Sequence, residues 1–535
     1  MQPDVRNVGL LLLWYAFVMA LAPPARDYPM IDDWAYAQSV ARLSELAYYP
    51  HDQTQPSSLA HLIWGVLFTA LLGQSFTALT LANLTVSVAG VIIFYFLLRQ
   101  VGIVPSYSLV GAAMLACNPV YLFLSYSFMT DVTFVTYLLA ACLCYVRGVQ
   151  GYGARWLWLG SIMAALCFLT RQVGLVLVPA ILVYLWWSRR LTLRSAVAAG
   201  LIPVVAAAAY QVWEQAYPTQ LIAYGMQAVV QYATQQPLAY LAHRAETASV
   251  VLSALGLYLM PVLWLPRRFI LAVVMFLAML YLLVQNLVKR GTMFPRQGGV
   301  VDHSGFNMGS VYVAPVWSEW VWGALAVIGA ALFSLFAAAC WERIWAWMRS
   351  RPWKERASSP ALLPYIVGVL LTFGSIVLSP YLFDRYLLPI FPLLVLFALR
   401  RIGKGHGEKP GWGQSWHVAL LAPVALFSLL AQMDYTAHAS ARWEAAERLV
   451  SQGTPVNQVD AGFEWTGWHL YEQGARIVRQ RGSSATLDYP PYVMLDPVFA
   501  VDDLRREGYE EVGSVAYRSW LSGGQTRYVL IQKRR

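Results

Sequence analysis

The stretch Asp27-Tyr28-Pro29-Met30-Ile31-Asp32-Asp33-Trp34-Ala35-Tyr36 follows directly on the first apolar run of the chain. That run opens from a basic N-terminus at Arg6 and closes at Pro23-Pro24. Two adjacent carboxylates then stand beside Trp34 and Tyr36, aromatic types favoured where a membrane meets water. Asp32 and Asp33 are therefore expected at a membrane surface. Aspartate also favours helix N-caps and first turns, and Trp34, Val40 and Leu43 follow at roughly helical spacing. The plain alternative is that the pair only caps a short helix, so its reading depends on the rest of the chain.

Of 535 residues, 58% are apolar and only 12% charged, and the mean hydropathy is +0.50. A soluble domain does not need such values and a polytopic membrane protein does. The formal net charge of +10 reports loop positions, because Lys and Arg gather on the cytoplasmic side; it implies no nucleic-acid partner. Cys117, Cys142, Cys144, Cys167 and Cys340 all lie in apolar runs, which excludes a disulfide framework or a zinc site in a polar loop. The run from Val8 to Leu21 with Ala20-Leu21-Ala22 mimics a signal peptide, but Pro23 is a poor cleavage context, so a retained first span is expected. The single Asn-x-Ser/Thr match, Asn83-Leu84-Thr85, falls inside an apolar run. This points towards a bacterial inner membrane.

Apolar runs long enough to span fall near 8–22, 77–98, 105–125, 128–146, 156–170, 173–187, 195–212, 249–265, 269–288, 320–340, 361–379, 385–399 and 416–433. The expected fold is thus an α-helical polytopic membrane protein of about 13 transmembrane helices. Basic clusters at Arg147 to Arg155, Arg189-Arg190 with Arg194, Arg267-Arg268, Arg343 to Arg356 and Arg400 to Lys409 all become cytoplasmic if the N-terminus is inside. A further apolar run, Ser57 to Gly73, breaks that parity if it spans. It is read as an interfacial or re-entrant helix in a long first exterior loop, about 23–76. The exterior face then collects Asp32, Asp33, Asp131, Thr170-Arg171-Gln172, segments 213–248 and 289–319, and Asp384-Arg385. At Asp434 the composition turns polar, dividing a membrane domain, 1–433, from a small exterior, periplasmic α/β domain, 434–535. In the latter, a helix over Ser440 to Gln452 closed by Gly453, strands at Tyr492 to Leu495 and Arg527 to Ile531, and a hairpin turn at Ser522-Gly523-Gly524 are expected.

Hardly any ionisable residue sits mid-span, whereas acids and arginines punctuate the exterior ends. Transporters and pumps place charge near the midplane, so this pattern disfavours transport and suits chemistry at the outer leaflet. Each candidate also has an ordinary structural role. Asp131, in Ser127-Phe128-Met129-Thr130-Asp131, suits a helix N-terminus. Arg171 suits an interfacial cation, and Arg385, in Phe383-Asp384-Arg385-Tyr386-Leu387-Leu388-Pro389, an ion pair with Asp384. His61, alone on an apolar helix, suits a structural place.

The order of these motifs resembles the GT-C superfamily of integral-membrane glycosyltransferases, in particular the branch of protein O-mannosyltransferases and lipid A aminoarabinose transferases. The resemblance rests on Asp32-Asp33 in the first exterior loop, Asp131 in the next, the turn Leu169-Thr170-Arg171-Gln172, and Arg385-Tyr386-Leu387-Leu388-Pro389 late in the bundle. It covers the chain to about residue 400 and not the C-terminal domain. Two departures stand out: Gln55-Pro56-Ser57-Ser58 where relatives carry a His-Pro-Pro or Lys-Pro-Pro segment, and Asp-Asp where they carry Asp-Glu.

The resemblance implies a glycosyltransferase that moves a sugar from a polyprenyl-phosphate donor to a lipid, glycan or protein acceptor at the outer face, with inversion. Two acids and two arginines on one face supply a base for the acceptor hydroxyl and cations for the departing phosphate. Asp32, Asp33 and Asp131 are the catalytic candidates, Arg171 and Arg385 the phosphate ligands, and Gln172, Tyr386 and His61 the accessory candidates. No cofactor is demanded, and the acids leave a divalent metal open. No Gly-rich nucleotide loop is present, consistent with a lipid-linked donor. A polysaccharide polymerase or ligase using a longer lipid-linked glycan is the first rival reading, and a membrane transporter the second.

Overall fold

The computed structural model describes residues 3–45, 51, 53–54, 57–216, 230–293, 299–306, 313–350, 359–374, 382–402, 412–481 and 490–535. Gln55-Pro56, the middle of the segment 213–248, parts of 289–319, the basic residues at 351–356 and 403–409, and the end of the run 361–379 lie outside the described residues.

The chain is an α-helical membrane protein with a small C-terminal sheet. Its bundle comprises α1 (Pro3–Leu21), α2 (Asp33–Ser44), α3 (Leu59–Leu72), α4 (Phe76–Gln100), α5 (Pro105–Ala116), α6 (Pro119–Tyr126), α7 (Thr130–Val149) and α8 (Arg155–Phe168). A 3-10 turn, Gln172–Val176, leads into α9 (Leu177–Trp187), followed by α10 (Leu193–Ala216), α11 (Pro237–Leu259), α12 (Phe269–Arg290), α13 (Glu319–Ser350) and α14 (Leu362–Phe373). A second 3-10 turn, Asp384–Leu387, then precedes α15 (Phe391–Ile402) and α16 (Trp412–Ser451).

Each of the thirteen apolar runs read from the sequence coincides with a helix or helix pair. Among the described residues, eight helices are by themselves long and apolar enough to cross a membrane, nine if one bent pair counts as a single span. That pair is α5 and α6, which meet at 59°. The break follows from Asn118-Pro119: proline cannot donate into the helix, and the Asn118 side chain accepts from Tyr121 N at 3.1 Å to start the next one. At 14 residues, α3 is about 21 Å long, short of the roughly 30 Å hydrocarbon core. Its outward face carries Ile63, Leu67, Leu71 and Leu72, all exposed. Where α11 crosses α13, a Cβ on Gly256 would meet the Gly329 carbonyl at 2.1 Å, so only glycine permits the contact.

Basic residues at the far ends of α4, α7 and α9 meet: Arg147 donates to Gln100 at 3.1 Å, and Arg190 to the Val149 carbonyl. Asp32, Asp131, Arg171 and Arg385 lie at the other end, which also carries the C-terminal sheet.

The expected helix at Ser440 to Gln452 is the continuation of α16, which runs unbroken through Asp434 before Gly453 ends it at φ +96°. Beyond it come β3 (Val459–Asp460), α17 (Phe463–Arg481), α18 (Pro490–Met494), β4 (Phe499–Asp502), β5 (Tyr509–Ser519) and β6 (Gln525–Arg534). The strand order is β3-β4-β6-β5, with β3 and β4 parallel and the other pairs antiparallel. The strand expected at Arg527 to Ile531 is β6, and Gly523 and Gly524, both at positive φ, form the hairpin turn before it. The strand expected at Tyr492 to Leu495 is corrected. Tyr492 to Met494 enter α18 and Leu495 follows its end, because Pro490-Pro491 presets helical φ at a helix start and cannot donate to a sheet. Asp434 fastens the hairpin to α16 by accepting from Ser519 Oγ at 2.6 Å and Leu521 N at 3.3 Å.

Candidate active site

The first-loop helix α2 carries the acidic pair, and the structure separates its two members. Asp33 is fully buried and paired with Arg26 Nη2 at 2.6 Å. Its oxygens also accept from Phe128 N at 2.7 Å and Met30 N at 3.3 Å. Arg26 is spent in the same network, donating to Thr80 Oγ1 at 3.1 Å and to the Tyr126 carbonyl at 2.9 Å. Burial pushes the Asp33 carboxyl up to about 6, against the opposing pull of the Arg26 charge and its hydrogen bonds. Asp33 thus ties α2 to the loop between α6 and α7.

Asp32, one residue earlier at the N-cap of α2, forms no side-chain capping bond. Its carboxylate is 23% exposed, and its partner is Arg385 Nη1 at 3.9 Å, beyond hydrogen-bonding range. Burial raises its pKa first; the Arg385 charge lowers it, and the nearby Glu464 and Asp131 raise it.

Arg385 does not pair with its neighbour in sequence. Asp384 turns the other way and accepts from Val300 N at 2.8 Å, Val301 N at 2.9 Å and its own successor's N–H at 2.7 Å. In this way it anchors the two-stranded turn β1 (Val301–Asp302) and β2 (Gly305–Phe306), which precedes α13. The Arg385 guanidinium lies over the rings of Phe383 at 5.5 Å and Tyr386 at 5.7 Å. Its buried Nε has no hydrogen-bond partner.

Asp131, in the first turn of α7, and Arg171, between α8 and α9, meet at 3.0 Å, with a second contact from Nη2 at 3.1 Å. Arg171 Nε also donates to Thr130 Oγ1 at 2.9 Å. Asp131 acts electrostatically on both Asp32 and Arg385. Four motifs scattered over some 350 positions are therefore brought together as two close pairs that act on each other electrostatically.

The accessory candidates divide. Tyr386 flanks Arg385 with its ring under the guanidinium. Gln172 reaches Tyr210 at 3.4 Å. His61 is buried and bonded through both ring nitrogens, to Thr133 Oγ1 at 2.9 Å and the Phe128 carbonyl at 3.2 Å. Those bonds make it a strut beneath the Asp33-binding loop. Among the described residues no group of three or more His, Cys, Asp or Glu side chains could share a metal ion.

Arg26 and the C-terminal contribution were not found from sequence. Trp34, wholly buried, packs on Tyr471 at 5.1 Å and on Phe463 at 6.3 Å, both from α17. A Cβ on Gly467 would stand 2.5 Å from the Trp34 ring, so the glycine makes room for it. The Arg442–Glu464 pair, fully buried at 2.8 Å, locks α17 to α16. A basic residue six before the acidic pair was a visible signal for Arg26; none marked Gly467.

Residues 55–213 match the family model described as dolichyl-phosphate-mannose-protein mannosyltransferase, which agrees with the GT-C resemblance over that part of the chain. No curated protein matches the sequence. Among solved structures, the chain is similar to ArnT from Cupriavidus metallidurans bound to undecaprenyl phosphate, at 13% identity and a TM-score of 0.44, covering 99% of this chain and 97% of that one. It is also similar to the archaeal oligosaccharyltransferase AglB from Archaeoglobus fulgidus with an inhibitory peptide and a dolichol-phosphate, at 12% identity and a TM-score of 0.45, covering 98% and 74%. The Saccharomyces cerevisiae Pmt1-Pmt2 complex bound to the sugar donor matches at 15% identity and a TM-score of 0.33, covering 41% and 34%.

Proposed function

We propose that this protein is a glycosyltransferase that moves a sugar from a polyprenyl-phosphate-linked donor to an acceptor hydroxyl at the outer face of the membrane. The observation that carries the reading is the approach of Asp32, whose carboxylate has no hydrogen bond among the described residues, to Arg385, whose buried Nε has none among them either, at 3.9 Å. A gap of that size holds neither group in a finished ion pair, and both stay available to a substrate.

The roles follow from what each group already touches. Asp32 takes the proton of the acceptor hydroxyl as its oxygen attacks the anomeric carbon. The bond from that carbon to the phosphate oxygen breaks on the opposite side, and its electron pair leaves with the phosphate. Arg385, a planar fork in a poorly hydrated cleft, receives that charge. One in-line displacement inverts the anomeric carbon. Arg171 lines the same cleft with its charge shared with Asp131, so this pair orients the acceptor side and tunes the potential at Asp32. Asp33 holds α2 in place. The lipid tail lies between the apolar helices, and the periplasmic side of a bacterial inner membrane is the proposed face.

Incubation of the purified protein with a synthetic polyprenyl-phosphate monosaccharide and fractionated envelope extract tests this directly. Sugar should leave the lipid and appear in one acceptor fraction. Transfer only from a longer lipid-linked glycan would favour a polymerase or ligase. No release from either lipid, with a labelled solute crossing proteoliposomes, would favour a transporter.

A further inference from the structure

A cavity opens away from these residues, where the end of α16 meets α17, the turn at Val456 and the start of α4. Its volume is about 450 Å³, and Asp27, Phe76, Trp443, Glu447, Trp468 and His469 are among its walls, with Trp465. Such a volume accommodates one or two sugar rings or a comparable small molecule. Four aromatic rings in one small cavity are a large apolar investment. Trp443 and Trp465 meet at 4.9 Å and 62°, Trp465 and His469 at 4.3 Å, and Phe76 and Trp468 at 5.1 Å.

Packing accounts for the rings but not for their polar atoms. Trp443 is 5% exposed and Trp465 2%. The Nε1 of each, and Nε2 of His469, are buried without a hydrogen-bond partner. Tryptophan buried for stability alone ordinarily satisfies its N–H, and an orphaned donor costs about 1–3 kcal/mol. The three residues that carry these atoms line one cavity, whose walls also include the exposed Asp27 and Glu447. Burial lowers His469 to about 4, so its ring is neutral and presents one donor and one acceptor nitrogen.

We propose that this cavity is a saccharide-binding site, separate from the catalytic cleft, that takes a neutral pyranose unit. A pyranose has an apolar face of C–H groups that stacks on indole and phenyl rings. Its hydroxyl oxygens accept from the orphaned N–H groups, and its hydroxyl protons go to the carboxylates. The donors decide between this ligand and an ammonium group. A cation would meet the acids and ring faces but leave the indole N–H groups unsatisfied. The site lies between the C-terminal module and the start of α4, and α17, which forms part of it, also packs on α2, the helix that Asp32 caps.

The test needs no turnover, so it stands apart from the transferase reading. Saturation-transfer NMR on the purified full chain is run with methyl glycosides of glucose, galactose, mannose and N-acetylglucosamine, and with tetramethylammonium. At least one glycoside should receive saturation, strongest at the C–H protons of one ring face, and should be displaced by its oligomer. Trp468→Ala, at a half-exposed ring, should weaken binding about tenfold. Trp443→Phe, which keeps a ring and loses only the N–H, should weaken it several-fold with thermal unfolding unchanged. Glu447→Gln lies at an exposed position and serves as a variant that folds normally. Binding of tetramethylammonium with no glycoside, or glycoside binding untouched by all three substitutions, overturns the proposal. Adding the polyprenyl-phosphate sugar tests the separation from the transfer site: the glycoside should stay bound, and its displacement by the donor would overturn the proposal.

Discussion

At the scale of single residues, the account turns on two neighbouring aspartates doing different work. Loss of a positioned base costs about a hundred- to ten-thousand-fold in rate. Asp32→Asn should therefore fold normally, bind donor and lose turnover on that scale. Asp33→Asn should instead leave Arg26 as an unpaired buried cation, a loss of about 3–5 kcal/mol that a thermal unfolding assay in detergent reads directly. The pH profile gives a second check. Because burial raises Asp32, the acid limb of kcat/KM should lie above the ordinary aspartate range. Activity should fall as the pH drops through that limb, because a base must be ionised. Arg385→Ala removes the charge that lowers Asp32, so it should move the limb further up while also weakening donor binding. A limb that stays put in the variant would separate the two groups. The sequence showed both acids and both arginines, since exterior charge in an apolar chain is conspicuous. It did not show which acid was spent. That depended on Arg26, Phe128 N and Met30 N closing around Asp33, and the Phe128 contact spans 95 positions, which no local pattern encodes.

At the scale of elements, α2 is wedged between the bundle and the C-terminal module, and the wedge is what aims Asp32. Gly467→Val should drive its side chain into the Trp34 ring, costing about 1–3 kcal/mol of overpacking and lowering turnover although the substitution is remote from the cleft. Unchanged turnover would mean that α17 does not set the position of α2. Helices of the bundle were legible because long apolar runs have few alternatives, and the hairpin turn was legible because Gly523-Gly524 supports positive φ. The short segment at Tyr492 was misread because β-prone residues outweighed the two prolines that start α18. The extension of α16 through Asp434 was missed for a related reason. Polar sequence marks a change of surroundings, not an end of helix.

At the scale of the whole molecule, Asp32, Arg385 and the C-terminal sheet lie at one end of the bundle and the basic ends of α4, α7 and α9 at the other, and the first end is the one proposed to face the exterior. A cysteine at Gln525, exposed at the start of β6, should react with an impermeant maleimide from outside intact cells. Labelling only after permeabilisation would invert the scheme. Charge parity in the sequence supplies the expectation that this labelling tests, whereas the sugar and the acceptor are not legible, because they are selected by the shape of surfaces built from distant segments. The central claim is that Asp32 is the base and Arg385 the phosphate ligand of one transfer site. Its most direct test is to measure donor binding and sugar transfer side by side in the wild-type protein, Asp32→Asn and Asp33→Asn, each reconstituted with polyprenyl-phosphate sugar. The account predicts that Asp32→Asn retains the donor and transfers nothing measurable, while the fraction of Asp33→Asn that remains folded still turns over. Near-normal transfer by Asp32→Asn would contradict it and pass the role of base to Asp131.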